Sequence, residues 1–290
     1  DGYEKLARVP YRGIVRPRLP TVGHLRRAKP LNHDGVKINV EEKLFDEYID
    51  VPGVLEGDTN QELGLRTGHL AVTQRGDHVV IIGGGNGISA TTAAYQVGEE
   101  GRVTVYDGMT GENHPRFGIK HIEIGLGLNG VADRCETRHG LVGTREETVE
   151  MYSENMEYDV PAIHPSELPD CDVLEFDCNG MELDILRHLE VRPRAMIIEI
   201  EAPFYKEMFD GEAHPRDVLD VLDDLGYTVI QQFGHEGTPV SVDELLDLID
   251  EEYETGSKHR LDSGAKDSPI VLALRNDWVE AGATEDRATD

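Results

Sequence analysis

The run Asp77-His-Val-Val-Ile-Ile-Gly-Gly-Gly-Asn-Gly87 is apolar, ends in a glycine cluster, and leads into a helix-like segment from Ile88. A second apolar run, Val103-Thr-Val-Tyr-Asp107, follows. Runs of this length and make-up fit buried strands. Glycines at 83, 85 and 87 let the backbone turn tightly and let a ligand approach the peptide groups without meeting a Cβ. The second run ends in a carboxylate twenty residues after Gly87, where a nucleotide ribose needs an acceptor for its hydroxyls. Strand, glycine turn, helix, strand and acid together make a nucleoside-binding half of an open α/β sheet.

From this point the alternation continues. Strands are expected at 78–83, 102–107, 135–142, 172–177, 194–201, 227–233 and 269–275, with helices at 88–98, 115–129, 181–190, 214–225 and 241–254. Seven strands with helices between them predict a doubly wound, mostly parallel sheet. The last two strands are joined by an excursion with its own helix but no βαβ crossover, so they are expected to be antiparallel neighbours. Upstream, Val36-Lys-Ile-Asn-Val40 alternates like a short strand, and Gln61 to Thr73 has helical spacing. The expected division is a basic extension with a small hairpin and helix over 1–70, the sheet domain over 71–276, and an acidic flexible tail over 277–290.

Charge bounds the partners. The chain has 290 residues with 57 acids against 28 bases, a formal charge of −29, and only 8 of the bases are Lys. A surface of one sign repels nucleic-acid phosphates, so no nucleic-acid partner is expected. Scarce Lys beside abundant Asp and Glu matches the cytosolic proteome of a salt-loving archaeon, where screening removes the self-repulsion. Residues 1–30 reverse the sign, with Lys5, Arg8, Arg12, Arg16, Arg18, Arg26, Arg27 and Lys29 against Asp1 and Glu4. This arm either docks on the acidic body or meets a phosphate-bearing or lipid-linked substrate. No run of eighteen apolar residues is present, so no membrane span is expected. The chain opens without a Met or an apolar signal core; residues are expected upstream, and the location is expected to be cytoplasmic. Cys135, Cys171 and Cys178 form no C-x-x-C and are odd in number, which points to buried thiols in a reducing compartment. The His residues give no H-E-x-x-H pair, so no metal is expected by motif.

Two cofactor patterns overlap in the glycine loop. Gly83-x-Gly85-x-Gly87 fits the first loop of S-adenosylmethionine enzymes, and Gly85-Asn-Gly87-Ile-Ser-Ala90 fits the dinucleotide fingerprint. Gly83 already ends its strand, as the first pattern requires, although Ile81 stands where that pattern usually has an acid. Further on, Asp172-Val-Leu-Glu-Phe-Asp177-Cys-Asn-Gly180-Met-Glu182 ends a strand and opens a helix, and Pro193-Arg-Ala-Met-Ile-Ile-Glu199-Ile-Glu201 forms the next strand. This combination resembles the FkbM-type S-adenosylmethionine-dependent methyltransferases, whose pattern is an apolar strand, D-x-E-G-x-E, a leucine-bearing helix and a strand ending in Glu. Asp177, Gly180 and Glu182 match; Asn179 replaces the family's first Glu; Glu199 or Glu201 would be the fifth-strand acid. The likeness covers roughly residues 75–205.

The resemblance implies a Rossmann-like class I fold and S-adenosyl-L-methionine as cofactor. Gly83, Gly85 and Gly87 would line it, Asp107 would accept both ribose hydroxyls, and Leu141 with Val142 would sandwich the adenine. Asp177, at the carboxyl end of a central strand, would bind the cofactor amine, orient an acceptor hydroxyl or take its proton. Glu182 either serves there or caps its helix. His164 and His235 are candidate general bases in loops. Members of the family are associated with O-methylation of sugars and polyketide-derived hydroxyls. The implied function is therefore O-methyl transfer to a sugar, glycoconjugate or other small molecule. Some related enzymes hold Mg²⁺ at the ends of the fourth and fifth strands, which Asp177 with Glu199 or Glu201 would match. Two rivals stand beside this: an NAD-dependent oxidoreductase or epimerase, and a non-catalytic S-adenosylmethionine-binding protein.

Overall fold

The computed structural model describes residues 28–33, 36–41, 62–111, 117–145, 159–234, 237–260 and 266–279, with the backbone alone at 28–33, 36–41, 259–260 and 266–267. Most of the basic arm, His235 and residues 280–290 lie outside the described residues.

A hairpin of β1 (Ala28–His33) and β2 (Val36–Glu41) precedes α1 (Leu63–Val72). Then follow β3 (His78–Ile82), α2 (Ile88–Val97), β4 (Arg102–Asp107), α3 (Ile119–Asn129) and β5 (Cys135–His139). A parallel pair of two-residue strands, β6 (Leu141–Val142) and β7 (Ala162–Ile163), leads to β8 (Val173–Phe176). The second half runs α4 (Glu182–Arg187), β9 (Ala195–Glu199), α5 (Tyr205–Met208), α6 (Asp217–Asp224), β10 (Tyr227–Phe233) and α7 (Val242–Thr255). The short pair β11 (His259–Arg260) and β12 (Lys266–Asp267) comes before β13 (Ile270–Arg275).

The main sheet has the order β10-β13-β9-β8-β3-β4-β5. Its strands are parallel except β13, which is antiparallel to both β9 and β10. The expected seven-stranded, doubly wound sheet with a last antiparallel strand is therefore present. One detail goes beyond that expectation: β13 inserts between β9 and β10, so the edge strand β10 runs with the rest.

The sheet is buried on both faces because its central strands are apolar throughout rather than alternating. Val79, Ile81, Val103, Val105 and Ile197 face α1, α2 and α3, where Leu65, Ala90, Ala94 and Ile122 meet them. Val80, Ile82, Leu174, Phe176 and Ile198 face α4, α6 and α7, meeting Leu183, Leu186, Leu222 and Ile249. Alternate residues of one strand thus serve opposite layers. At the strands' amino ends a buried ion pair ties the layers, with Arg194 donating to both oxygens of Asp77 at 2.8 and 3.3 Å. Their carboxyl ends are left for the loops that form the cleft. The stretch predicted as one strand over 135–142 is divided at Gly140, where a Cβ would lie 2.4 Å from Ile163 Cδ1, and Leu141–Val142 turns away to pair with β7. Among the described residues no helix is long and apolar enough to cross a membrane.

Candidate active site

A cleft of about 720 Å³ opens at the carboxyl ends of β3, β4, β8 and β9, a size suited to a nucleoside-sized ligand. Open parallel sheets bind ligands at this edge because the loops there diverge on either side of a switch in strand order. Here that switch lies between β3 and β8.

The three loop glycines all have positive φ, +90°, +52° and +84°, but do different work. Gly83 lines the cleft, and a Cβ there would fall 1.5 Å from the Asp177 carbonyl oxygen, so the close approach of two strand ends requires glycine. Gly85 also lines the cleft, and nothing lies nearer than 3.9 Å to a Cβ placed on it. Gly87 is not among the lining residues. It closes the turn, its N–H donating to Gly84 O at 2.8 Å, and it abuts Ile122 of α3. It stands immediately before α2, as that helix's N-cap.

Asp107 ends β4 beneath this loop. One carboxylate oxygen accepts the Gly85 N–H at 3.0 Å and the other accepts Met109 N–H at 2.7 Å. Burial pushes its pKa up to about 6, against the pull of those backbone donors. The carboxylate therefore clamps the glycine loop and also faces the cleft. Leu141 and Val142 line the cleft further along, with Tyr106, Met109 and Phe117.

Ile81 is fully buried in the core on the α1–α3 side, two residues before Gly83. A carboxylate arrives from elsewhere: Glu62, just before α1, lines the cleft and accepts the Ser89 N–H at the start of α2 at 3.1 Å. Its backbone is left-handed, φ 56°. Nothing in the sequence near Glu62 marks it, because the contact depends on how α1 lies across α2.

The opposite wall is acidic. Asp177 follows β8, Glu199 ends β9 and Glu201 lies two residues beyond it; one oxygen from each lies within 4.8 Å of the others. Lys258, just beyond α7, enters this group. Its Nζ is 3.1 Å from Glu199 Oε1 and is ion-paired with Glu201 Oε1. Glu201 Oε2 accepts the Asn179 N–H. Asn179 is in the left-handed region, φ 52°, which Asn tolerates better than most residues. Burial and the charges of Glu199 and Glu201 hold the Asp177 carboxyl well above the usual range. Burial works to lower the Lys258 pKa, but the carboxylates of Glu199, Glu201 and Asp177 outweigh it and raise it.

Glu182, matched to the same motif, is fully buried and outside the lining. It accepts Gly180 N–H at 3.0 Å and Tyr205 O–H at 2.9 Å, so it ties the turn after β8 to α5. His164 is also outside the lining; its Nδ1 accepts Ser166 N–H and caps a 3-10 turn over 165–167. The catalytic pair expected from sequence is thus not brought together: Asp177 lines the cleft and His164 does not. The three thiols are free, Cys178 buried and Cys135 and Cys171 half-buried, and burial pushes the latter two up to about 12. A nucleophilic role for them is not supported.

No family model matches the chain, and no curated protein is similar to it. Among solved structures it is similar to an S-adenosylmethionine-dependent O-methyltransferase from Thermotoga maritima, at 15% identity and TM-score 0.39, over 73% of this chain and 64% of that one. It is similar to an O-methyltransferase from Bacillus cereus in complex with S-adenosylhomocysteine, at 15% identity and TM-score 0.38, over 81% and 96%. It is also similar to Aeropyrum pernix fibrillarin with natively bound S-adenosyl-L-methionine, at 12% identity and TM-score 0.40, over 89% and 85%. The chain spans less than two thirds of the Thermotoga protein's length.

Proposed function

We propose that the protein is an S-adenosyl-L-methionine-dependent O-methyltransferase of FkbM type, acting on a hydroxyl of a sugar, glycoconjugate or other small molecule in a salt-rich archaeal cytoplasm. The observation that carries this reading is the cleft itself. One wall is the glycine loop clamped by Asp107, the other an acidic rim at the ends of β8 and β9. The cofactor has a sulfonium and an ammonium, and the described lining has Glu62, Asp107, Asp177, Glu199, Glu201 and Glu207 against one basic residue, Lys258. Opposite charge of this kind favours a cationic ligand.

In this reading Asp107 holds the ribose hydroxyls, Leu141 and Val142 flank the adenine, and Glu62 takes the ammonium that an acid at position 81 would otherwise hold. S-adenosylmethionine, when bound, supplies an electrophilic methyl group on sulfur. The protein's part is to align the acceptor oxygen with that carbon, exclude water and receive a proton. Asp177, which lines the cleft just past β8, is the proton acceptor in its ionised form, and the burial and neighbouring carboxylates that raise its pKa make that form a stronger base than an exposed carboxylate. With the cofactor bound, Asp177 would take the proton that the acceptor hydroxyl loses on gaining the methyl group, leaving the cofactor as its neutral thioether.

The same acids bear on the acceptor. A phosphate-rich acceptor would be repelled, so a neutral polyol is favoured and nucleic acid is not. Peripheral contact with a lipid-linked acceptor would fall to the basic residues 1–30. Calorimetry in molar salt should give binding of S-adenosylmethionine and its demethylated product but not NAD. Asp107→Ala should weaken that binding at least ~10-fold, roughly the loss of one or two hydrogen bonds to a charged group. Binding of NAD alone would overturn the reading. Cofactor binding without turnover on any hydroxylated glycan would leave a non-catalytic binder instead.

A further inference from the structure

Three carboxylates within 4.8 Å of one another are the donor set that a hard divalent cation takes. The residues present do not fit that ion, because a cation of the protein's own is already among them. Lys258 Nζ lies 3.1 Å from Glu199 Oε1 and is paired with Glu201 Oε1, and Asp177 also acts on its charge. An ion bound to the Glu199 and Glu201 oxygens that Lys258 pairs would sit about 2.0–2.6 Å from each and compete with the ammonium for them. Lys258 is not a stray surface side chain. It is mostly buried, at 17% side-chain exposure, against 7% for Glu199 and 0% for Glu201. The chain delivers it there through α7, which is capped at its start by Ser241 and Glu244 and ended by Gly256 in the left-handed conformation, two residues before Lys258.

We propose that Lys258 is the built-in cation of this rim, holding Glu199 and Glu201 beside Asp177 and closing the carboxylate cluster to divalent metal ions. It is a positioning residue, acting through the two glutamates it pairs. Its bearing on methyl transfer rests on the reading given above, but its exclusion of metal does not.

The test is a Mn²⁺ titration of the full chain in molar KCl, followed by electron paramagnetic resonance, with neither cofactor nor acceptor present. Wild type should bind no stoichiometric Mn²⁺. Lys258→Ala should gain one Mn²⁺ per chain, at least ~10-fold tighter than any wild-type binding, since it exposes an oxygen-rich site. Adding Glu201→Gln should abolish that gain, and Lys258→Arg should behave as wild type. Should Lys258→Ala fail to fold alone, because removing one partner strands buried charge, Mn²⁺ should restore its fold where added KCl does not. Stoichiometric Mn²⁺ binding by wild type that Glu199→Gln removes would overturn the proposal. So would a Lys258→Ala protein that gains no Mn²⁺, whether folded or not. Failure of S-adenosylmethionine to bind would overturn only the proposed function and leave this result standing.

Discussion

At Gly83 the backbone of β3 comes so close to β8 that a single methyl group cannot be inserted: a Cβ would overlap the Asp177 carbonyl, 1.5 Å away. Neither partner can yield, since Asp177 N–H donates to Ile82 O at 2.9 Å and Gly83 N–H to Tyr106 O at 2.9 Å. Gly83→Ala should therefore cost at least ~3 kcal/mol, in the range reserved for core disruption. Gly85→Ala, with open space around its Cβ, should cost only about 1–2 kcal/mol for the left-handed backbone. Urea denaturation of the two variants measures the difference; equal losses would mean that the strand ends can part. Both glycines read alike in sequence. What separates them is a contact across 94 positions of chain, between Gly83 and Asp177, which no local pattern contains.

The turn between β8 and α4 illustrates how a motif divides its labour between elements. Asp177 and Asn179 face the cleft, while Glu182 turns inward to bind Gly180 and Tyr205. Burial, aided by the charge of Glu201, pushes the Glu182 pKa from 4.5 up to about 8, while the Gly180 N–H and the Tyr205 O–H pull it down. A carboxyl whose folded pKa is raised binds its proton more tightly when folded. Its contribution to stability is present in acid and is lost as pH rises from 4.5 through about 8. Glu182→Gln mimics the protonated form, so its melting temperature relative to wild type should climb between about pH 5 and about pH 9. A difference that stays flat across this range would mean that Glu182 is ionised throughout. The sequence left Glu182 open between site and cap, because its spacing from Asp177 fits both and only the packing of α5 against the turn decides.

For the molecule as a whole, the formal charge of −29 is the dominant long-range term. The acids are spread along the chain, and the described structure buries few of them; those it buries have specific partners, as Glu175 has in His69 and Ser89. The remainder repel one another over distances that salt shortens from about 30 Å at 0.01 M to about 3 Å at 1 M. The melting temperature should thus rise steeply with KCl from millimolar to molar concentration, and calorimetry at a series of salt concentrations measures it. A melting temperature independent of salt would show that the folded protein tolerates its own charge without screening.

The alternation of strands and helices, the glycine turn, Asp107 and the motif at Asp177 were all legible in the chain, since each rests on periodicity or on spacing within a few dozen residues. The strand order was legible only as a tendency, because insertion of β13 between β9 and β10 is a pairing of distant segments. Glu62 and Lys258 were not legible at all. They reach the cleft from a helix start and a helix end, and only the docking of α1 and α7 brings their charges beside Ser89 and Glu201. Local backbone preference wrote the elements; long-range packing chose which charges meet.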